Sequence, residues 1–329
     1  MKKELLGYIC CPSCRSPLEL EGAVEEGAEI VSGSLLCRAC GGIYAVEGGV
    51  PNLLLKQKLG DEKIMSRGFE FEWKYFFRTS KPYFKQMFLE WVAPLKDDDF
   101  SERVILDAGC GMGRNSLIAA SMGAKAVIAF DIHDAVKLFY GRSKAVKNPH
   151  IVKADIFNPP FKRVFDIVYS AGVLHHTPSP SLAFKKLSEL VNPGGVFSSF
   201  VYGRENNSFI AKVVSFFRES VISRMPNLFV LLLSYVLGFL LFIFLKFVFT
   251  PVNYVFKLAG TGNFAGYFRF LAGTDFEYSV HVVFDHLVTP IASYHANSEV
   301  ESWYRDNGFS DVKVWNRYGI THIGFGRKK

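Results

Sequence analysis

The sequence predicts an α/β protein built on a doubly wound, mostly parallel seven-stranded sheet, with a small cysteine-bearing domain in front of it. Three observations predict this. An apolar run enters a glycine-rich turn at Val104–Arg114 (VILDAGCGMGR), and apolar runs follow at Ala126–Asp131, His150–Asp155 and Phe165–Ser170. The first three runs each carry an aspartate at or near the end, and ligands in such sheets bind outside the carboxyl ends of the strands. Four cysteines stand as two C-x2-C pairs within the first forty residues. The chain divides into 1–55, 56–102, 103–203, 204–296 and 297–329.

Residues 1–55 read as a zinc ribbon. Cys11 and Cys14, then Cys37 and Cys40, are separated by 22 residues, a pairing that suits a closed tetrahedral thiolate site. With four protein ligands the metal is structural, and it supplies folding energy to a domain too small for a secure core. Disulfides are the rival reading, and Cys10 is left outside the set.

Residues 56–102 form a connector. RGFEFEWKYFF (67–77) and PYFKQMFLEWV (82–92) space their large apolar residues as helices do. We read them as helices over a cofactor pocket, with Phe69 and Trp73 as lid candidates; plain core packing is the alternative.

The core, 103–203, opens on the glycine turn. A dinucleotide-binding turn needs a third small residue for close helix–strand packing, and Arg114 stands there instead. Asp107 would repel a pyrophosphate, whereas it suits a cofactor with an ammonium group and no phosphate, such as S-adenosylmethionine. Asp131, 24 positions beyond Asp107, is placed to meet ribose hydroxyls.

With these motifs the chain resembles the class I S-adenosylmethionine-dependent methyltransferases, in particular those with D-x-G-C-G-x-G in the first turn and V-L-H-H after the fourth strand. The resemblance implies a sheet ordered 3-2-1-4-5-7-6 with the last strand antiparallel. It places Asp107, Gly109, Cys110, Gly111 and Gly113 around the methionine part, Asp131 and Ile132 at the ribose, Asp155 and Ile156 at the adenine, and Ser170 and Ala171 beneath the sulfonium. The flanks ELLGYICCPSCRSPLEL and GGIYAVEGGVPNLL resemble the small zinc-ribbon activators of tRNA and translation-factor methyltransferases, although Tyr44-Ala45-Val46 lacks that family's proline. The ribbon is then expected to pack on the catalytic domain in cis.

Methyl transfer needs alignment and, where the acceptor carries a proton, a base. His175 and His176 follow the fourth strand and are the candidate bases, with His295 near the same mouth; capping or loop-fixing roles are the alternatives. Asn158-Pro159-Pro160-Phe161 imitates an amino-methylase signature but follows the third strand, so we read it as a turn.

Residues 204–296 interrupt the sheet. Leu228–Leu245 runs 18 residues without a charge, long enough to be a membrane-span candidate. The strands on either side belong to one sheet, so the chain has to return. A buried lid, an interfacial or re-entrant helix, and a two-pass hairpin with amphipathic Phe209–Ser223 all remain open, and 209–257 is expected to touch a membrane surface. Residues 297–329 read as a helix capped by Asn297 or Ser298, then the last two strands.

A hydrophobic share of 49% excludes a disordered chain, and a net charge of +7 without a basic run argues poorly for nucleic acid. MKKELLGYICC breaks into cysteines before any secretory stretch, so we expect a cytoplasmic protein, peripheral on the inner membrane face; nothing marks an oligomer. The expected function is an S-adenosylmethionine-dependent methyltransferase with structural zinc, acting on an apolar or lipid-linked small molecule. The alternatives are a methyltransferase of RNA or of a translation protein, and a non-catalytic binding module.

Overall fold

The computed structural model describes residues 1–55, 62–76, 81–205, 222, 225–256, 264–289 and 292–329. All of Phe209–Ser223 except Ile222 lies outside these residues.

The chain begins with a four-stranded antiparallel sheet, β1 (Glu19–Glu26), β2 (Glu29–Leu36), β3 (Ile43–Glu47) and β4 (Val50–Pro51), paired in sequence order. Two helices follow, α1 (Glu62–Tyr75) and α2 (Pro82–Trp91). The core then alternates β5 (Val104–Ala108), α3 (Arg114–Ser121), β6 (Ala126–Asp131), α4 (Ala135–Ser143), β7 (Pro149–Lys153), β8 (Phe165–Ala171), α5 (Pro180–Ser188) and β9 (Val191–Tyr202). The insertion supplies α6 (Asn227–Phe256), α7 (Phe264–Ala272) and α8 (Phe276–Val288). After it come α9 (Asn297–Asp306), β10 (Phe309–Arg317) and β11 (Thr321–Lys328).

The large sheet runs β10-β11-β9-β8-β5-β6-β7. Counted along the core this is 3-2-1-4-5-7-6, and β11 is antiparallel to β9, as the sequence predicts. The parallel strands are apolar on both faces because helices cover both; every residue of β6 is buried. Alternation then sorts side chains between the layers. Leu106, Ile128, Val168 and Phe197 face α5 and α9, together with Leu5 and Ile9 of the ribbon. Ile105, Val127 and Ile167 face α2 and α3.

The ribbon sits on the core in cis. The Cys10 amide donates to the Pro160 carbonyl at 2.9 Å and the Leu53 amide to the Lys153 carbonyl at 2.8 Å. The Arg15 guanidinium donates to the carbonyls of Pro159 and Phe161. The Asn158–Phe161 segment, a turn by sequence, is thus the shelf on which the ribbon rests.

In the insertion, Val230, Ser234, Gly238, Leu245 and Phe249 form the buried stripe of α6. Gly238 permits the closest approach: a Cβ there would lie 2.8 Å from the Cα of Val280 in α8. Its opposite face, including Leu228, Leu232, Val236, Phe239, Leu240 and Phe247, is exposed. The start of α9 differs from the expected Asn297 or Ser298 cap. Ala296 occupies that position, and Glu205 accepts the Asn297 amide at 3.0 Å from a distant loop.

Candidate active site

The turn after β5 is built by backbone pairing. The amides of Gly109 and Cys110 both donate to the Phe130 carbonyl at 2.9 Å, which ties the turn to the end of β6. Gly109 and Gly111 have φ of +83° and +52°, a region that disfavours side chains. A Cβ on Gly109 would also lie 2.4 Å from Val173, so this position admits only glycine. Asp131 closes β6 and organises the same turn: one oxygen accepts the Gly111 amide at 2.9 Å. The other lies 2.6 Å from Nδ1 of His133 and accepts the His133 amide at 3.1 Å. Burial alone would raise its pKa; the adjacent His133 and these hydrogen bonds outweigh burial and hold it below the usual carboxylate range.

A cavity of about 1000 Å³ opens over this turn. That lies at the upper end of single-ligand pockets, which leaves room for a nucleoside cofactor and an acceptor group together. Gly109, Cys110, Gly111, Asp131 and Ile132 line it from the turn, and Asp155, Ile156 and Ala171 from the neighbouring strand ends. Asp155 caps its own loop, accepting the Phe157 amide at 2.9 Å. These groups fit S-adenosylmethionine: the Asp131 carboxylate at the cavity wall can accept from hydroxyl donors, and the glycine backbone of the turn leaves room for a ligand.

Three residues expected at the cofactor do not line the cavity. Asp107 is buried beneath the turn, where its carboxylate accepts the hydroxyls of Ser116 from α3 and, at 2.9 Å, Tyr169 from β8. Burial pushes its pKa up to about 7, against those two hydrogen bonds. It braces the turn rather than facing an ammonium group. Gly113 caps α3 against the ring of Phe139. Ser170 donates to the Ala108 carbonyl at 3.1 Å and stitches β8 to β5.

The opposite wall comes from α1 and the insertion. Phe69 and Trp73 stack at 5.5 Å, and both line the cavity; Trp73 meets the His133 ring at 5.1 Å and Phe69 the His176 ring at 5.5 Å. His175 and His176 line it too. His175 is fully buried, stacks on Tyr202 at 3.9 Å, and burial drives its pKa far down. His295 is drawn elsewhere: Ser293 Oγ lies 2.8 Å from its Nε2 and Glu299 2.7 Å from its Nδ1, and it does not line the cavity. The sequence reading missed Glu72 and Arg114, together with Tyr278, His281 and Asp285 of α8, all of which line the cavity. Their charge in an otherwise apolar setting was the available signal.

In the ribbon, the sulfurs of Cys11, Cys14, Cys37 and Cys40 all lie within 4.8 Å of one another. The pairs at 3.4 Å (Cys14–Cys37) and 3.6 Å (Cys11–Cys40) are far beyond a disulfide bond. They approach the roughly 3.8 Å edge of a tetrahedron with metal–sulfur bonds of about 2.3 Å. The donor set fits Zn²⁺, and the Tyr44 hydroxyl, 3.3 Å from Cys11 Sγ, supports one ligand from outside.

Comparison with known proteins agrees with this architecture. Residues 106–199 match the family described as methyltransferase domain, and residues 2–49 the family described as Trm112p-like protein. A protein of Idiomarina loihiensis named tRNA U34 carboxymethyltransferase is 33% identical over 107 residues, 30% of this chain and 32% of the relative. A namesake in Pseudoalteromonas atlantica is 33% identical over 118 residues, 33% of this chain and 36% of the relative. The chain thus spans about a third of the length of these curated relatives. Magnesium protoporphyrin IX methyltransferase from Synechocystis PCC 6803, solved with bound SAH, superposes with a TM-score of 0.49 at 16% identity, covering 82% of this chain and 97% of that one.

The tRNA-named relatives and the Trm112p-like match overturn two expectations, an apolar or lipid-linked acceptor and a nucleic acid as an unlikely partner, and favour the RNA alternative. The first rested on the greasy insertion, whose apolar face turns away from the cavity. The second rested on the absence of a basic run, but phosphate binding depends on where cations gather in space, not on their contiguity in sequence. Residues 106–199 are therefore a methyltransferase domain on a class I fold, preceded at residues 2–49 by a Trm112p-like zinc-ribbon domain.

Proposed function

We propose that this protein is an S-adenosylmethionine-dependent transferase that alkylates a nucleoside of tRNA. The observation that carries the reading is the similarity to relatives named tRNA U34 carboxymethyltransferase, at 33% identity in the two described above. The cavity supports it, since its size accommodates a cofactor and a nucleobase together and its far wall carries Glu72, Arg114, His281 and Asp285. A base taken out of the stack is read by polar groups of this kind.

The bound cofactor supplies an electrophilic carbon on a sulfonium. The chain's own residues do the rest. Asp131 would accept from the ribose hydroxyls, Asp155 and Ile156 would frame the adenine, and the Gly109–Gly111 backbone would hold the methionine arm. Phe69 and Trp73, stacked on each other in the opposite wall, would shield the reacting carbon from water and help hold the nucleophile in line with it. Purified protein with methyl-labelled S-adenosylmethionine and total tRNA should transfer label to RNA; label only in solvent-soluble lipid would contradict the reading.

We place the protein in the cytoplasm with α6 against the inner membrane surface. Most of the large apolar side chains exposed on the described residues lie on this helix, whose most apolar 18 residues have a mean hydropathy of 2.9. Its outer face offers almost no hydrogen-bonding group, unlike a protein interface with its polar rim, so the fitting partner is lipid. The chain leaves the sheet at β9 and rejoins it at β10, which suits a helix lying on the surface. Flotation with liposomes should be lost in the double variant Leu232→Asp/Phe239→Asp; unchanged flotation would refute the assignment.

A further inference from the structure

One carboxylate in the cavity is only half used. Glu72, on α1, is 4% exposed and lines the cavity. Its Oε1 lies 2.7 Å from Nε2 of His281 in α8, while Oε2 has no hydrogen-bond partner. Buried polar atoms are nearly always paired, so this buried, unpaired oxygen on a residue of the cavity wall is an acceptor that lacks its donor. Arg114 Nε and Asn115 Oδ1, on residues lining the same cavity, are also without partners. Two other acceptors in the cavity wall are weak. Asp131 is a weak base because His133 and its hydrogen bonds hold it below the usual carboxylate range, and His175 is a poor base because burial depresses it.

We propose that Glu72 is a catalytic residue: Oε2 accepts the O–H or N–H proton of the tRNA acceptor while His281 positions the carboxylate. The proposal rests on the reading of the protein as a tRNA transferase. In the step, the acceptor's hydrogen bond to Oε2 becomes a full transfer of the proton to Glu72. The acceptor's freed electron pair forms the bond to the donor carbon, and the electrons of the breaking carbon–sulfur bond stay on sulfur, which becomes neutral. The proton leaves to water once the product departs.

The groups acting on Glu72 are Asp285, His281 and Tyr278 from α8, Arg114 from α3 and Tyr202 from β9. Burial first, and then the charge of Asp285, push its pKa up to about 7, against the pull of His281 and Arg114. A base with that value is half ionised near neutral pH, where proton acceptance is most effective.

The test compares the parent with Glu72→Gln, Glu72→Asp and His281→Ala. Calorimetry with S-adenosylhomocysteine first establishes that each variant is folded and binds within about threefold of the parent. Infrared titration of the parent should show a buried carboxyl with a midpoint near 7, absent in Glu72→Gln. With total tRNA, Glu72→Gln should lose roughly 100-fold or more in rate and lose the rise in rate with pH. Glu72→Asp should keep a displaced pH profile, and His281→Ala should shift its midpoint. Glu72→Gln within threefold of the parent rate, with the same pH profile, overturns the proposal. A parent that transfers nothing to tRNA sinks the tRNA reading instead; the infrared titration then still judges Glu72, and no carboxyl lost near pH 7 overturns its role.

Discussion

Replacing Asp131 tests the cofactor site at its most constrained point. One carboxylate oxygen holds the Gly111 amide and the other lies against His133, so the charge is fixed at the cavity wall, where the proposed function has it accept from the ribose hydroxyls. Hydrogen bonds to a charged group are worth about 1.5–3 kcal/mol each. Asp131→Ala removes two such bonds and loosens the turn, so cofactor binding should weaken by about 3 kcal/mol or more, roughly 200-fold in Kd. Asp131→Asn keeps the shape and one acceptor, and should lose about 1.5 kcal/mol, roughly tenfold. Calorimetry with S-adenosylhomocysteine reads both, with thermal unfolding as the check on folding. An analogue lacking the ribose hydroxyls should bind the parent and Asp131→Ala far more equally, because the lost partner is then missing on both sides. If Asp131→Ala binds S-adenosylhomocysteine within threefold of the parent, the carboxylate does not hold the ribose.

Other parts of the account are open to simple measurements. Gly113 has φ +81° and a Cβ there would fall 2.2 Å from the Phe139 ring; Gly113→Ala should cost about 3 kcal/mol or more of stability by denaturant unfolding, and a loss below about 1 kcal/mol would contradict the packing. Reduced, folded protein should contain one zinc per chain by elemental analysis. Chelation should raise hydrogen exchange across residues 1–55 while β5–β9 stay protected, whereas metal-free folded protein would remove the zinc site. Asp107 has a folded pKa of about 7, above its ordinary value of 3.8. A raised carboxyl pKa means the folded state holds the proton more tightly, so its contribution to stability is full below about pH 4 and is lost as pH rises to about 7. The stability of Asp107→Asn relative to the parent should therefore climb between pH 4 and 7; a difference independent of pH would show that Asp107 is not buried as described.

The features legible in the sequence are those that depend on local chemistry. The glycines of the first turn, the strand-end acids Asp131 and Asp155 and the paired cysteines follow from residue type and spacing, and the strand order follows from the family resemblance those motifs carry. What was illegible depends on contacts across the fold. Asp107 reads as a ligand-facing acid, yet Ser116 and Tyr169 reach it from two other elements and turn it into a brace. Glu72 reads as one charge among several on an amphipathic helix, FEFEWKY. Only the packing of α8, more than two hundred residues later, buries it against His281. The insertion misled for a similar reason: its composition is apolar, but the face it gives the cavity carries Tyr278, His281 and Asp285.

We propose that this chain modifies tRNA through the pocket over Val104–Arg114. Mass spectrometry of tRNA nucleosides from cells with and without the gene tests it most directly. The account predicts one alkylated nucleoside that disappears without the gene, returns with the parent protein and does not return with Asp131→Ala. Identical nucleoside profiles in all four samples would contradict it.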